Sequence, residues 1–215
     1  MAVAMEKGMR HSRLKWIGVP TLALVLMWAV VGGVAAQPSS PHALVEEITD
    51  EVLGVLEEQG EALTEDPVAF YETLAPIVEP HIAYDRIGAR MLGPHWRDAD
   101  EQTRERFVQE FQRSLLRSYA SSLEDYQGVE VRILGSRRRD SAVQVGMEVG
   151  SGDDRARLLY QLEEIDGAWK LVDVTAEGVS LVHNYREDFR AQLRDKDLEA
   201  VIEEMAERNR EIGFE

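Results

Sequence analysis

The feature that most constrains the fold is a series of four short segments in which apolar and polar residues alternate with a period of two. Such alternation places the apolar side chains on one face of a β-strand. The connections are short and contain turn residues such as Asp166-Gly167, so successive segments form hairpins and pair antiparallel. The sequence therefore predicts a four-stranded antiparallel sheet, with strands centred on residues 129–133, 143–149, 158–162 and 171–174.

The segments before and after this sheet repeat apolar residues about every 3.6 positions, which is the helical period. In the clearest of them Phe107, Phe111 and Leu115 recur every four residues, and Asp98 and Glu101 have the spacing of a capping box. We expect helices over residues 42–59 (ending at Gly60), 66–78, 85–92, 98–123, 180–193 and 198–209, the last acidic and less apolar. This order predicts an α+β fold, in which a strongly twisted and curved sheet beneath the helices leaves a concavity for a ligand.

The N-terminal segment has the order of a secretory signal. Residues 7–15 are basic, residues 16–36 carry no charge, and small residues stand at the end of the uncharged run. We expect cleavage after Ala36, then a linker over residues 37–41, one domain over 42–209 and a tail over 210–215. The alternative is an uncleaved anchor, since a run of this length can span a bilayer. Both interpretations place the body outside the cytoplasm.

Charge excludes one class of partner. The first 36 residues contain four basic and one acidic side chain, which leaves 20 basic and 39 acidic residues, a net charge of −19, in the remainder. A body of this charge is repelled by phosphate backbones, so we expect no nucleic-acid partner. The chain has no cysteine, which excludes disulfides and thiolate metal sites.

The sequence shows no constellation of catalytic residues. Five histidines occur, and His81 and Asp85 are four residues apart and could meet on a helix, but this pair lacks a third ligand at useful spacing. Ser180 follows Gly178, but Val182 occupies the position where a nucleophile elbow needs a second glycine. We therefore expect neither enzymatic activity nor a metal or cofactor.

Three segments together resemble a known family: residues 82–96 running into 102–111, residues 119–128, and residues 169–189 with Glu177-Gly-Val-Ser180 and Asn184-Tyr-Arg186. They are similar to the MlaC family, also called toluene-tolerance auxiliary proteins, from about residue 42 to 206. The resemblance implies a sheet packed with helices around a lipid cavity, distantly similar to the cone-shaped nuclear-transport-factor-2 type. It also implies a soluble periplasmic carrier that moves a phospholipid between an outer-membrane lipoprotein complex and an inner-membrane ABC transporter, maintaining outer-membrane lipid asymmetry. A bound phospholipid would be its cargo, with no cofactor.

The apolar stripes supply candidate residues for such a cavity. The long helix, the strands and the penultimate helix each contribute, and Arg186 is a weaker candidate for the headgroup phosphate because arginine pairs well with phosphate. The candidate lipid-binding residues are Phe107, Phe111, Leu115, Tyr119, Val145, Met147, Tyr160, Leu162, Val172, Val174, Val179, Tyr185 and Phe189.

Two other functions stay open at this point. The first is a small exported isomerase or hydrolase that would use Asp173 and Tyr160, and it requires a carboxylate with a perturbed pKa inside a small pocket. The second is an envelope adaptor without a cavity, in which the stripes would close into an ordinary core. A lipid carrier requires instead a deep, apolar cavity free of acids.

Overall fold

The computed structural model describes residues 40–120, 130–152, 154–211 and 213–214, without the side chains of 61, 62, 64, 65, 67, 116–120 and 154. The signal predicted over residues 1–36 and most of the linker lie outside the described residues. Those described form an α+β fold, as the sequence predicts. Its elements are α1 (Pro41–Glu65), α2 (Pro67–Val78), a 3₁₀ turn (Glu79–His81), α3 (Tyr84–Leu92), α4 (Pro94–Asp98), α5 (Glu101–Ala120), β1 (Glu130–Arg139), β2 (Ala142–Ser151), β3 (Asp154–Ile165), β4 (Ala168–Ala176), β5 (Val179–Ser180), α6 (Leu181–Gln192) and α7 (Leu198–Arg210).

The strands form one antiparallel sheet in the order β1-β2-β3-β4-β5. Tyr160 pairs with Val145 on one side and with Val174 on the other, so the apolar residues of neighbouring strands share a face. We call this face, with Val145, Tyr160 and Val174, the inner face, and the opposite one the outer face. The fifth strand was not predicted, because its two residues are too few to show a period.

The predicted hairpin turn at Asp166-Gly167 is confirmed by the backbone. Asp166 has φ of 52° and Gly167 has φ of 79°. Two consecutive positive φ values are what a type I′ turn requires, and its twist matches that of the flanking strands. The turn therefore fixes the pairing of β3 with β4.

Two helix boundaries differ from the prediction. The first helix continues past Gly60 to Glu65, because a single glycine costs a helix only about 1 kcal/mol and Leu63 is buried beyond it. The long helix is capped by Asp100, not Asp98: the Asp100 carboxylate accepts a hydrogen bond from the Thr103 amide at 2.8 Å. This bond lowers the pKa of Asp100. Asp98 instead ends α4.

Buried apolar residues form two clusters. The sheet cluster joins α1 to the inner face and consists of Leu44, Val45, Val145, Met147 and Leu162. The helix cluster joins α3 to α7 and consists of Ile87, Met91, Leu92, Trp96, Phe107, Phe111, Phe189, Leu198, Val201, Ile202 and Met205. Within the described part of the chain, no helix is both long and apolar enough to cross a bilayer.

The C-terminal region contributes more to the core than the sequence indicates. Val201 and Ile202 of α7 are completely buried although the helix is rich in acids. Phe214, in the predicted tail, is also buried and meets the Tyr71 ring edge-on at 5.6 Å between centroids. Phe214, beyond the predicted domain end at residue 209, thus packs on α2.

Candidate functional site

The candidate residues from the strands lie mainly on the inner face, beneath α1. Val145, Met147 and Leu162 are buried in the sheet cluster, in contact with the first turns of α1. Tyr160 is half-buried at the border of this cluster, and its hydroxyl lies 3.6 Å from the Met147 sulfur. The structure thus brings these four candidates together.

The candidate residues from the helices lie in the helix cluster instead. Phe107, Phe111 and Phe189 are buried, and their rings contact one another at centroid distances of 5.3 to 6.2 Å. Tyr185 meets Phe111 edge-on at 5.0 Å, and Leu115 packs against the same cluster. Contacts of this kind are those of a packed core, so these five candidates form a group separate from the sheet cluster.

The remaining candidates are dispersed. Val172 is completely buried, Val174 is half-buried, and Val179 on β5 is 48% exposed. Arg186, the headgroup candidate, is exposed on α6. The side chain of Tyr119 lies outside the described residues.

A further apolar surface, which the sequence analysis did not single out, lies on α2. Glu72 is the one charged residue among the twelve of this helix. Phe70, Leu74, Ile77 and Val78 follow the spacing i, i+4, i+7, i+8 and so share one side of it. None of the described side chains of α2 is buried, although the helix lies against α1 and α5. An apolar stripe that stays only half-buried in a folded chain is a candidate surface for a ligand or partner.

Helix α1, which is in contact with α2, also carries apolar residues that are not buried. The two helices are joined by Asp66 alone, whose carboxylate accepts hydrogen bonds from the Val68 and Ala69 amides at 3.0 Å and so starts α2. The apolar residues in the middle of α1 are half-buried, unlike Leu44 and Val45 at its start, which are buried. We call the two sets together the hairpin surface, consisting of Val52, Val55 and Leu56 of α1 and Phe70, Leu74, Ile77 and Val78 of α2.

The inner face contributes apolar surface beside the hairpin. Val131, Ile133, Val149 and Leu158 are half-buried around the sheet cluster. Because α1 rests on β1 and β2 with its first turns and carries the hairpin surface on its later turns, it links the two apolar regions. The sequence signal that could have revealed the hairpin surface is the near absence of charge in α2.

Two tyrosines near this surface remain neutral. The Tyr71 hydroxyl donates a hydrogen bond of 2.5 Å to the Glu79 carboxylate. Burial, followed by this bond and the Glu79 charge, raises the pKa of Tyr71. Burial also raises the pKa of Tyr84 to about 12. Both phenols are therefore uncharged at neutral pH and add no ionised group to the apolar surroundings.

The geometry separates the two residues of the enzyme alternative. Asp173 pairs with Gln161 and Tyr160 with Val174, so the two side chains point to opposite faces of the sheet. Asp173 accepts hydrogen bonds from the Ser180 hydroxyl at 2.6 Å and from the Val182 amide at 3.2 Å. Ser180 in turn caps α6 by accepting a bond from the His183 amide at 3.0 Å. Asp173 and Ser180 thus hold the start of a helix.

A metal-binding arrangement is likewise not found where the structure describes side chains. In these parts of the chain, no three residues of the types His, Asp and Glu stand close enough together to hold an ion. The site that remains is an apolar surface bordered by the Tyr71 phenol, which is bonded to the Glu79 carboxylate, and by the Asp66 cap of α2. Such a surface can bind an apolar ligand.

Sequence comparison matches the chain to one family model and to two named proteins. The family model described as MlaC protein matches residues 46–207. The toluene tolerance protein ttg2D of Pseudomonas putida is 31% identical over 175 residues, which is 79% of this chain and 80% of that protein. The intermembrane phospholipid transport system binding protein MlaC of Haemophilus influenzae is 19% identical over 197 residues, covering 89% and 91% of the two chains.

A solved structure shares the fold. It is that of a phospholipid-binding protein from Ralstonia solanacearum in complex with a phospholipid, with a TM-score of 0.72 and 21% identity, covering 83% of this chain and all of that one. The fold and the hairpin surface define a class of small α+β protein with an accessible apolar binding surface. Within that class, the chain belongs to the MlaC family, whose model spans most of its length.

Proposed function

We propose that this protein binds a phospholipid with its acyl chains against the hairpin surface and the adjoining inner face, and carries it through the periplasm. The observation that carries the proposal is α2, a helix with one charge in twelve residues and no buried described side chain. Apolar area of this kind gains about 25 cal/mol per Å² when a ligand removes it from water. The phospholipid bound by the Ralstonia protein of the same fold supports the choice of ligand.

The proposal extends to exchange between two membranes. Each buried methylene gains about 0.8 kcal/mol, but a bilayer buries the same chains, so transfer between membrane and carrier is nearly balanced. Direction must then come from partners, which we propose to be an outer-membrane lipoprotein complex and an inner-membrane ABC transporter. The name of the Haemophilus relative, a binding protein of an intermembrane phospholipid transport system, supports this role.

A carrier role is compatible with the absence of a covalent step in lipid transfer and with the negative net charge of the chain. Lipid transfer makes and breaks no covalent bond, so it needs no catalytic residue. The net charge of −16 of the whole chain discourages adhesion to anionic lipid surfaces, which suits a carrier that must leave the membrane after each exchange. We propose that export by the N-terminal segment delivers the protein to the periplasm.

A pair of matched variants tests the binding surface. Leu74→Gln and Glu72→Gln install the same side chain two positions apart, but Leu74 belongs to the hairpin surface and Glu72 is exposed on the other side of α2. Each variant is incubated with vesicles containing a fluorescent phospholipid and then separated from them. We expect L74Q to retain several times less lipid than the parent and E72Q to retain the same amount. Equal retention by both variants would contradict the proposal.

A further inference from the structure

The outer face of the sheet carries a groove that is unrelated to the hairpin surface. Its volume is about 460 Å³, and Leu134, Gly146 and Leu159 form an apolar floor between β1, β2 and β3. Leu159 pairs with Gly146 across β2 and β3. A side-chain carbon at Gly146 would lie 3.1 Å from the Leu134 Cβ, so the glycine makes room for Leu134 to lie across the strand. The packing of Leu134 over Gly146 therefore shapes the floor of the groove.

Two arginines border this floor. Arg137 pairs with Gln144 and Arg157 with Glu148, so both project from the outer face. Arg137 donates a hydrogen bond of 3.0 Å to the Gln144 side-chain oxygen, and Gln144 is itself 9% exposed. Among the described residues that line the groove, none is acidic. The lining therefore combines positive charge at the rim with apolar surface at the base.

The charge of this region contrasts with that of the molecule. Strand β1 has four arginines and one glutamate, a net charge of +3, in a chain of net charge −16. At physiological ionic strength, charges more than about 8 Å apart are largely screened. The charges near an acidic group that reaches the groove are therefore Arg137, Arg157 and Glu148, which faces Arg157 across β2 and β3, whereas acidic groups elsewhere meet an acidic surface. Complementarity of this kind favours a single orientation of a partner.

We propose that the groove binds an acidic segment of a partner protein that carries an apolar residue among its carboxylates. Carboxylates match the arginine guanidinium in charge and geometry, and the apolar residue covers Leu134 and Leu159. An anionic membrane fits less well, because a flat charged surface must approach the acidic body together with the groove. The proposal does not depend on lipid binding, since the hairpin surface and the groove share no residue.

Synthetic peptides test this proposal on the full-length protein. The probe is a fluorescent peptide of about eight residues, roughly 26 Å when extended, in which glutamate alternates with serine around one leucine; the control peptide has lysine for glutamate. We expect saturable binding of the acidic peptide alone, measured by fluorescence anisotropy. Amide NMR shifts should be confined to the groove, at Leu134, Gly146 and Leu159.

Charge reversal distinguishes the groove from general electrostatics. Arg138 pairs with Val143 and projects to the other face, so R138E changes the same charge on the same strand away from the groove. We expect the double variant R137E/R157E to bind the peptide about tenfold or more weakly, since two exposed attractive pairs become repulsive, and R138E to change affinity less than threefold. Circular dichroism verifies that each variant folds.

Three results would overturn the proposal. One is that the acidic peptide does not bind the parent protein, and another is an equal loss of affinity in R138E and R137E/R157E. The third is that phosphatidylglycerol vesicles bind through Arg137 and Arg157 and displace the peptide, which would make the groove a membrane contact.

Discussion

A buried polar network joins α5 to α7 and yields a quantitative prediction for stability. Asn209 is completely buried, and its side-chain nitrogen donates hydrogen bonds to the Glu110 backbone oxygen at 2.9 Å and to the Glu110 carboxylate at 2.8 Å. The Ser114 hydroxyl lies 3.2 Å from the Asn209 side-chain oxygen. Arg113 pairs with the other Glu110 oxygen at 3.1 Å. Asn209 therefore satisfies three polar groups of α5 at once.

Replacing Asn209 with alanine should lower the free energy of unfolding by about 3 kcal/mol. Net contributions are roughly 0.5–1.5 kcal/mol for a neutral hydrogen bond and 1.5–3 for a bond to a charged group. The variant also leaves the Glu110 carboxylate, which is only 8% exposed, with a reduced set of donors. Two neutral bonds and one bond to a charged group add up to about 2.5–6 kcal/mol. Water that enters the vacated space offsets part of this loss, so the expected value lies in the lower half of that range.

Urea unfolding followed by circular dichroism measures this change. Glu207→Ala alters an exposed residue of the same helix and should change the free energy of unfolding by less than about 0.5 kcal/mol. If N209A lost less than about 1 kcal/mol, a range typical of a single neutral bond, the network would contribute little and the reasoning would be refuted.

Three further predictions concern the fold. Gly88→Ala should destabilise the protein by about 1–3 kcal/mol in urea unfolding, because the added carbon would lie 2.5 Å from the Trp96 ring; a stabilised variant would contradict this packing. Phe107→Ala should cost about 3–5 kcal/mol in the same assay, since Phe107 is completely buried, and a loss below 1 kcal/mol would count against it. The raised pKa of Tyr84, about 12 against 10 when unfolded, favours the protonated phenol in the fold, so its stabilisation is complete below pH 10 and is lost as pH rises through 12. Tyrosinate absorbance in the parent and in Tyr84→Phe measures this titration, and a Tyr84 signal that appears below pH 10 would contradict it.

The sheet was predictable because its information is local. Val143, Val145 and Met147 alternate with polar or small residues, which predicts a strand. The Asp166-Gly167 pair is typical of a type I′ hairpin turn, and the structure has that turn. Helix ends were less predictable, because tertiary burial decides them. Gly60 does not end α1 because Leu63 is buried further along it, which no local pattern reveals.

The candidate site was less predictable than the fold. A stripe such as Phe107, Phe111 and Phe189 shows which side chains leave water, but not whether protein or ligand covers them. The structure pairs these rings with one another, whereas Leu74, with an equally apolar pattern around it, is only half-buried. The difference depends on what packs opposite each helix, and that is set by distant parts of the chain.

The central claim is that the protein carries a phospholipid, and native mass spectrometry of the protein, purified without detergent from cells that express the full sequence, tests it most directly. Lipids extracted from the same sample identify any added mass. The account predicts a co-purified phospholipid at about one per protein, as expected for a single binding surface. A ligand-free mass that stays unchanged after incubation with phospholipid vesicles would contradict the account.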